Sequence, residues 1–296
     1  MELSRNLSLV LMHLIVLIWG LTGILGHEIS LDADQLVWWR VLIAFVALGI
    51  FGFLKGKIQP MTWRATGMLV LCGVVVGAHW VTFFAAIKAS TISVALCAIS
   101  TNSFFVALMG PWFGRGPWRM KEFLLSAVVA VGLIFVFRFE LRYWQGIVLG
   151  LAAAALSAFF SLANARFVQT KNAITIAFWE MVGALLSITL YFIVTDGLPR
   201  IHWPSSYDMR CLLFLGVVCT AVALVVSVEV MKKLSPFTCA LTINLEPIYT
   251  ILIALYLYGQ SEYMSWGFYV GMLCILSTLA LDLYWRQRPQ QGDSVK

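Results

Sequence analysis

The sequence predicts an all-α integral membrane protein, with ten transmembrane helices laid out as two inverted five-helix repeats. Three observations carry this. Hydrophobic residues fill 61% of the 296 positions and charged residues only 11%, whereas a soluble domain carries about 25% charged residues because its surface meets water. Apolar runs of bilayer-spanning length succeed one another along the whole chain. The second half of the chain also echoes the first.

The first five runs are Leu7–Gly26, Leu36–Leu54, Ala65–Ile87, Thr91–Phe113 and Glu122–Phe137, the fifth being short. Trp144–Phe167, Ala173–Thr195, Cys211–Met231, Pro236–Tyr258 and Met264–Trp285 follow. Connections are brief, so successive helices should be neighbours, and no room is left for a soluble domain. Arg5 before the first run resembles the start of a signal peptide. That run is long enough to span, no A-x-A site follows it, and more spans come after, so it reads as the first helix.

Net charge is +6. Basic residues sit singly or in pairs at the ends of apolar runs, with no tract that could follow a phosphate backbone, so nucleic acid is not expected as a partner. Alternate connections divide the cations unequally. The side that carries the N-terminus receives Arg5, Lys55, Lys57, Arg64, Arg115, Arg119, Lys121, Arg166, Lys171, Lys232, Lys233, Arg286, Arg288 and Lys296. The other side receives Lys88, Arg138, Arg142, Arg200 and Arg210, along with Glu28, Asp32, Asp34, Asp196, Asp208 and Glu262. By the positive-inside rule both termini are cytoplasmic, in a bacterial inner membrane. Trp38, Trp39, Trp63, Trp112, Trp118, Trp144 and Trp285 fall near helix ends and read as interface anchors.

Leu36-Val37-Trp38-Trp39-Arg40 aligns with Ile176-Ala177-Phe178-Trp179-Glu180 at a shift of 140. At a shift of 144, Ile87-Lys88 meets Met231-Lys232, Thr91 meets Ser235, Ile99 meets Ile243 and Phe105 meets Tyr249. Each half holds an odd number of spans, so the halves lie in opposite orientations, as in secondary transporters whose repeats meet around a midplane site. The expected units are 1–138 and 143–286, followed by a cytoplasmic tail at 287–296.

The residues Leu245-Glu246-Pro247, an apolar run to Tyr258-Gly259-Gln260, then Gly267 and Gly271, resemble the EamA-type drug/metabolite transporters. Ile18-Trp19-Gly20 and Arg40 at the start of the second helix are similar to that family too. The resemblance runs nearly the length of the chain. It implies ten helices and a central substrate cavity, commonly used for export. Where the family usually has an acid after the glycine this chain has Gln260, with Glu262 two places on.

Glu246 is the sharpest functional candidate. An ionised carboxylate about halfway along a spanning helix is costly, by ~2.5–3.5 kcal/mol or more, and Pro247 removes a backbone donor, freeing carbonyls that could line a cavity. It reads as a cavity carboxylate that meets a cationic group or carries a proton; the alternative is an internal pair that holds helices together. His79 and Trp80 sit deep in the third helix, as substrate contacts or packing groups. Asn102, the repeat partner of Glu246, reads as a polar cavity group or as helix glue, and Asn244 lies nearby in sequence. Arg40 is expected to snorkel to the outer headgroups or face the cavity mouth. Glu180 and Glu229 are expected to pair with Arg166, Lys171, Lys232 or Lys233 as structural or gating ion pairs.

Gly73/Gly77, Gly146/Gly150 and Gly267/Gly271 each put two glycines on one face, for close helix approach. Six cysteines lie inside apolar runs and read as small hydrophobes, with no metal site and no cofactor expected. Neither G-x-S-x-G nor H-E-x-x-H occurs, so an enzyme is not expected. The reading is a secondary transporter, most simply an exporter, of small metabolites such as amino acids or amines by alternating access. A channel, a receptor-like protein or a membrane enzyme is the alternative. Substrate identity, direction, proton coupling and oligomeric state are not legible. Reporter fusions test the topology: those after Lys57, Arg119, Lys171 and Lys233 should report the cytoplasm, and those after Asp34, Arg142, Asp208 and Glu262 the outside. A reversed pattern overturns the charge argument.

Overall fold

The computed structural model describes residues 3–196 and 201–287. Arg200, Arg288 and Lys296, and the tail beyond Gln287, lie outside the described residues, as do the side chains of Asp196, Trp285 and Arg286. The described chain is helical, without strands. Its elements are α1 (Arg5–Glu28), α2 (Ala33–Leu54), α3 (Trp63–Ala89), α4 (Ile92–Phe113), α5 (Met120–Phe139), α6 (Leu141–Phe167), α7 (Ala173–Asp196), α8 (Ser206–Val230), α9 (Pro236–Glu262) and α10 (Trp266–Gln287). The first nine are long and apolar enough to cross a membrane, and α10, with 22 residues, completes the expected ten. The fifth helix is longer than its apolar run, because Met120, Lys121 and Arg138 are helical as well. Ten crossings bring the start of α1 and the end of α10 to one face, here called the terminal face.

Hydrophobic side chains are abundant on the outside. Leu54, Tyr256 and Trp266 are largely exposed, as a lipid-facing surface requires. Trp63, Trp112, Trp118 and Trp144 are exposed near helix ends as interface anchors should be, but two of the expected anchors are not. Trp39 is buried and donates its indole N–H to the carbonyl of His202 at 3.1 Å, and Trp38 donates to Thr189 Oγ1 at 2.9 Å. Both hold α2 against its neighbours.

Glycine sets the closest approaches. Lipid is as apolar as a leucine side chain, so association in a membrane depends on packing and not on leaving water. A Cβ at Gly73 would collide with the backbone of Glu180, and one at Gly183 with the backbone of Val70, so α3 and α7 touch nearly backbone to backbone. Gly77 continues that seam, with Ala184 Cα 3.2 Å from the position of a Cβ. Gly132 and Gly271 join α5 to α10 in the same way, each against the other's carbonyl. Gly146 and Gly150 seat α6 against Ser90 and Ala98.

Two helices are broken, at positions the repeat makes equivalent. In α4 the regular helix Ile92–Ile99 stops and a second begins at Asn102. In α9, Pro236–Ile243 stops and a second segment begins at Glu246. A shift of 144 carries each boundary of one break onto the other. It also carries one cap onto the other: Thr91 accepts from Val94 N–H and Ser235 from Thr238 N–H. The break in α9 follows from Pro247, which has no N–H to give to the preceding turn. α4 has no proline. There Ser100 Oγ donates to the Leu96 carbonyl at 3.0 Å and Thr101 Oγ1 to the Ala98 carbonyl at 2.7 Å, so hydroxyls serve the loosened turn.

The glycine seam makes a prediction. Gly73→Leu should destabilise the detergent-solubilised protein by about 1–3 kcal/mol or more, as overpacking does. Gly67→Leu, where no heavy atom lies within 4 Å of the added carbon, should melt like wild type. Equal melting temperatures for the two variants would refute the seam.

Candidate functional site

A cavity of about 80 Å³ lies among α1, α2, α3, α4, α6, α8 and α9, and therefore between the two halves. That is room for several water positions, each of which needs about 10–15 Å³. Its lining includes Trp19, Thr22, Arg40, Trp80, Asn102 and Glu246, and extends to Met231 and Cys239 at the ends of α8 and α9 that lie on the terminal face. Both breaks open onto it, through Ile99 with Asn102 and through Ile243 with Glu246.

Four of the five expected substrate contacts come together here. Glu246 begins the second segment of α9; it is buried, and its carboxylate makes no hydrogen bond or ion pair to another described residue. Asn102 begins the second segment of α4, donates Nδ2–H to Ser157 Oγ at 2.9 Å and has Oδ1 unmatched. His79 donates Nδ1–H to the Ala153 carbonyl at 2.8 Å, which in the neutral ring leaves Nε2 as the acceptor. Trp80 stands beside it. The fifth, Asn244, is buried in the turn of α9 with both amide atoms unmatched, and does not line the cavity.

Of the two directions expected for Arg40, the structure shows the cavity and not the headgroups. The residue is 1% exposed and lines the cavity, with its guanidinium 4.3 Å from the Trp80 ring centroid and 5.4 Å from that of Phe84. Nε donates to Thr220 Oγ1 at 2.6 Å. Thr220 belongs to a π-helical turn in α8, Val217–Val222, and donates in turn to the Leu215 carbonyl at 2.7 Å. Such turns recur at functional sites, and this one has no pattern in sequence by which to find it. Packing explains the location: α2 meets α8 where Gly216 faces Ile43 and the Arg40 backbone, so the arginine side chain turns inward.

Glu180 also differs from expectation. It is fully buried in the α3–α7 seam, and its polar neighbours are Cys72 and Asn164, not a cation of the terminal face. Asn164 lines the cavity, so Glu180 sits one side chain behind its wall. Glu229 does pair as expected, with Lys232 at 2.6 Å at the terminal face. Sequence reading missed Thr22, Asn164, Ser227, Cys219 and Cys239 in the lining, since small polar residues and cysteines are common in membrane helices and carry no signal of their own. Trp19 had one, as part of Ile18-Trp19-Gly20. Gly20 admits α9 so closely that Thr250 Oγ1 donates to its carbonyl at 3.0 Å.

Away from the terminal face the molecule is laced shut. Glu28 accepts from Tyr258 at 2.7 Å and from Tyr207 at 2.8 Å, tying α1 to α9 and α8. Asp208 holds Ser30 through N–H and hydroxyl at 2.9 and 2.7 Å, and Lys88 donates to the Ile29 carbonyl at 2.6 Å. Glu262 caps α4, accepting from Ile92 N–H, Ser93 N–H and Ser93 Oγ. The acid displaced from its usual place in the motif thus anchors a helix N-terminus.

Nine spanning helices and a tenth, in two repeats around a cavity where two of them break, define a polytopic membrane protein. The EamA-like transporter family matches twice, over residues 6–138 and 144–283, and the chain belongs to that family. It is 20% identical over 301 residues to an uncharacterised transporter of Bacillus subtilis (strain 168), YxxF, covering 96% of this chain and 92% of that protein. A solved crystal structure, 17% identical, superposes with a TM-score of 0.72 over 97% of this chain and all of that one, sharing the fold.

The lacing predicts an asymmetry of access. A small membrane-impermeant methanethiosulfonate should modify the cavity thiols Cys219 and Cys239 from the terminal face and not from the other. Glu28→Gln with Tyr258→Phe should raise modification from the laced face several-fold. Access from both faces in the wild type would contradict this arrangement.

Proposed function

We propose that this protein is a secondary transporter of a bacterial inner membrane that exports small metabolites, amino acids or amines among them, by alternating access. Both termini are cytoplasmic in this reading, so the cavity leads to the cytoplasm and the laced face lies outside. Residues 1–138 and 143–286 are the two units that move against each other around the cavity. The carrying observation is Glu246, a carboxylate without a hydrogen-bond or ion-pair partner among the described residues, at the break of a helix and on the wall of a cavity between the halves. Intramembrane acids are rare, costly and tied to substrate or ion pathways. Asn102, His79 and Trp80 complete the proposed contacts. Glu246 is the residue by which a proton would couple to transport.

Proteoliposome flux with purified protein tests the class. Saturable uptake that supports counterflow marks a carrier, and ohmic current a channel. Glu246→Gln tests the residue, since it keeps the shape and removes the charge. A proton role predicts that the variant loses gradient-driven accumulation and keeps counterflow. A direct role in holding a cation predicts that both fall, with affinity weakened at least tenfold. Wild-type behaviour in both assays at matched protein levels would reduce Glu246 to a packing residue.

A further inference from the structure

Arg40 is a buried cation that no described residue neutralises by contact. A guanidinium remains charged at any physiological pH, and taking it out of water costs several kcal/mol unless partners replace the water. Here the partners are incomplete. Nε is bonded to the neutral Thr220 hydroxyl, and the aromatic faces of Trp80 and Phe84 lie against the plane. Nη1 has no partner, and among the described residues no carboxylate lies within ion-pair distance. The side chain is nonetheless held, since Thr220 is itself anchored to Leu215 and Gly216, the residue before the π-turn, abuts the α2 backbone at Arg40.

The complementary charge is on the same wall. Glu246 lines the same cavity as Arg40, is buried, and its carboxylate has no hydrogen-bond partner among the described residues. Two opposite charges that need partners would be expected to collapse onto each other. They form no ion pair, and both line the cavity, Arg40 from α2 and Glu246 from α9. Their formal charges cancel, so the site matches a solute that is neutral overall and carries both charges. A guanidinium fork fits a planar carboxylate through two parallel hydrogen bonds, whereas a carboxylate fits an ammonium. Trp80, Phe83 and Phe160 supply apolar walls for the body of such a molecule.

Resting on the transporter reading above, we propose that Arg40 is the carboxylate-binding residue of the cavity. The transported solute is a small zwitterion, with its carboxylate on Arg40 and its ammonium toward Glu246. A bare amine or a bare carboxylate leaves one of the two buried charges unmatched and is a poor substrate.

The test uses purified full-length protein in proteoliposomes and three labelled pools: the proteinogenic amino acids, their decarboxylated amines, and the corresponding carboxylic acids without the amino group. Wild-type counterflow should follow the amino-acid pool at least tenfold over either other pool. Arg40→Gln should abolish it, and Arg40→Lys should retain a fraction with weakened affinity. The charge variants should also diverge: Glu246→Gln should be inhibited more strongly by the carboxylate pool than wild type is, and Arg40→Gln by the amine pool. If Arg40→Gln does not fold, the pools on wild type and the Glu246→Gln comparison decide. Amines moving as fast as amino acids, or full amino-acid counterflow by monodisperse Arg40→Gln, would overturn the proposal. An idle amino-acid pool alongside saturable counterflow of another metabolite from cell extract removes the zwitterion and leaves the transporter. No saturable flux of any solute removes both.

Discussion

Inside a bilayer there is no water to complete a broken hydrogen bond, so irregular backbone survives only where protein or a wet cavity serves it. This chain breaks two of its spanning helices, α4 and α9, at repeat-equivalent positions, and the cavity lies where they break. The breaks turn two helix starts, at Asn102 and Glu246, into the cavity wall. A helix start presents unpaired N–H groups and the positive end of the helix dipole, which favours an acid at that point. Pro247 and Glu246 are therefore one device, in which the proline stops the first segment and the acid opens the second. In α4 the hydroxyls of Ser100 and Thr101 reach a similar result without proline.

The same constraint accounts for the glycine seams. Polar groups cluster at the cavity and at the laced face, so the rest of the bundle must hold by contact alone. α3 and α7 do so at backbone distance through Gly73, Gly77 and Gly183. That closeness buries Glu180 in the seam, where the residue has no room to swing toward a cation. The acids Glu180 and Glu246 thus have different fates, since Glu246 meets a cavity and Glu180 meets the backbone of a neighbour.

Ten helices, two repeats and the lipid surface were legible in the sequence because composition, spanning length and odd span count are properties of whole segments. Glu246, His79, Trp80 and Asn102 were legible because polar and aromatic residues in an apolar run stand out. The role of Arg40 was not. Distance from a helix end favours snorkelling on average, and only the approach of Gly216 to the α2 backbone shows that the outward path is taken by α8. The π-turn that holds it arises from a register adjustment within α8, which leaves no periodicity to read. Trp39 misled for the same reason: its neighbours in space, His202 among them, are more than 160 residues away in sequence.

Divergence between repeats finally explains how a symmetric scaffold acquires a polar axis. At a shift of 140, Arg40 and Glu180 are equivalent, and at a shift of 144 so are Asn102 and Glu246. Identical repeats would place like charges at both members of each pair, and two like charges facing one small cavity repel. Here each pair carries a charge that reaches the cavity on one member only, with the cation in the first half and the acid in the second. Inversion brings the two together from opposite helices across the central space. On the reading proposed above, a solute that matches both charges would interact differently with different arrangements of the halves, which is the differential interaction a conformational change requires.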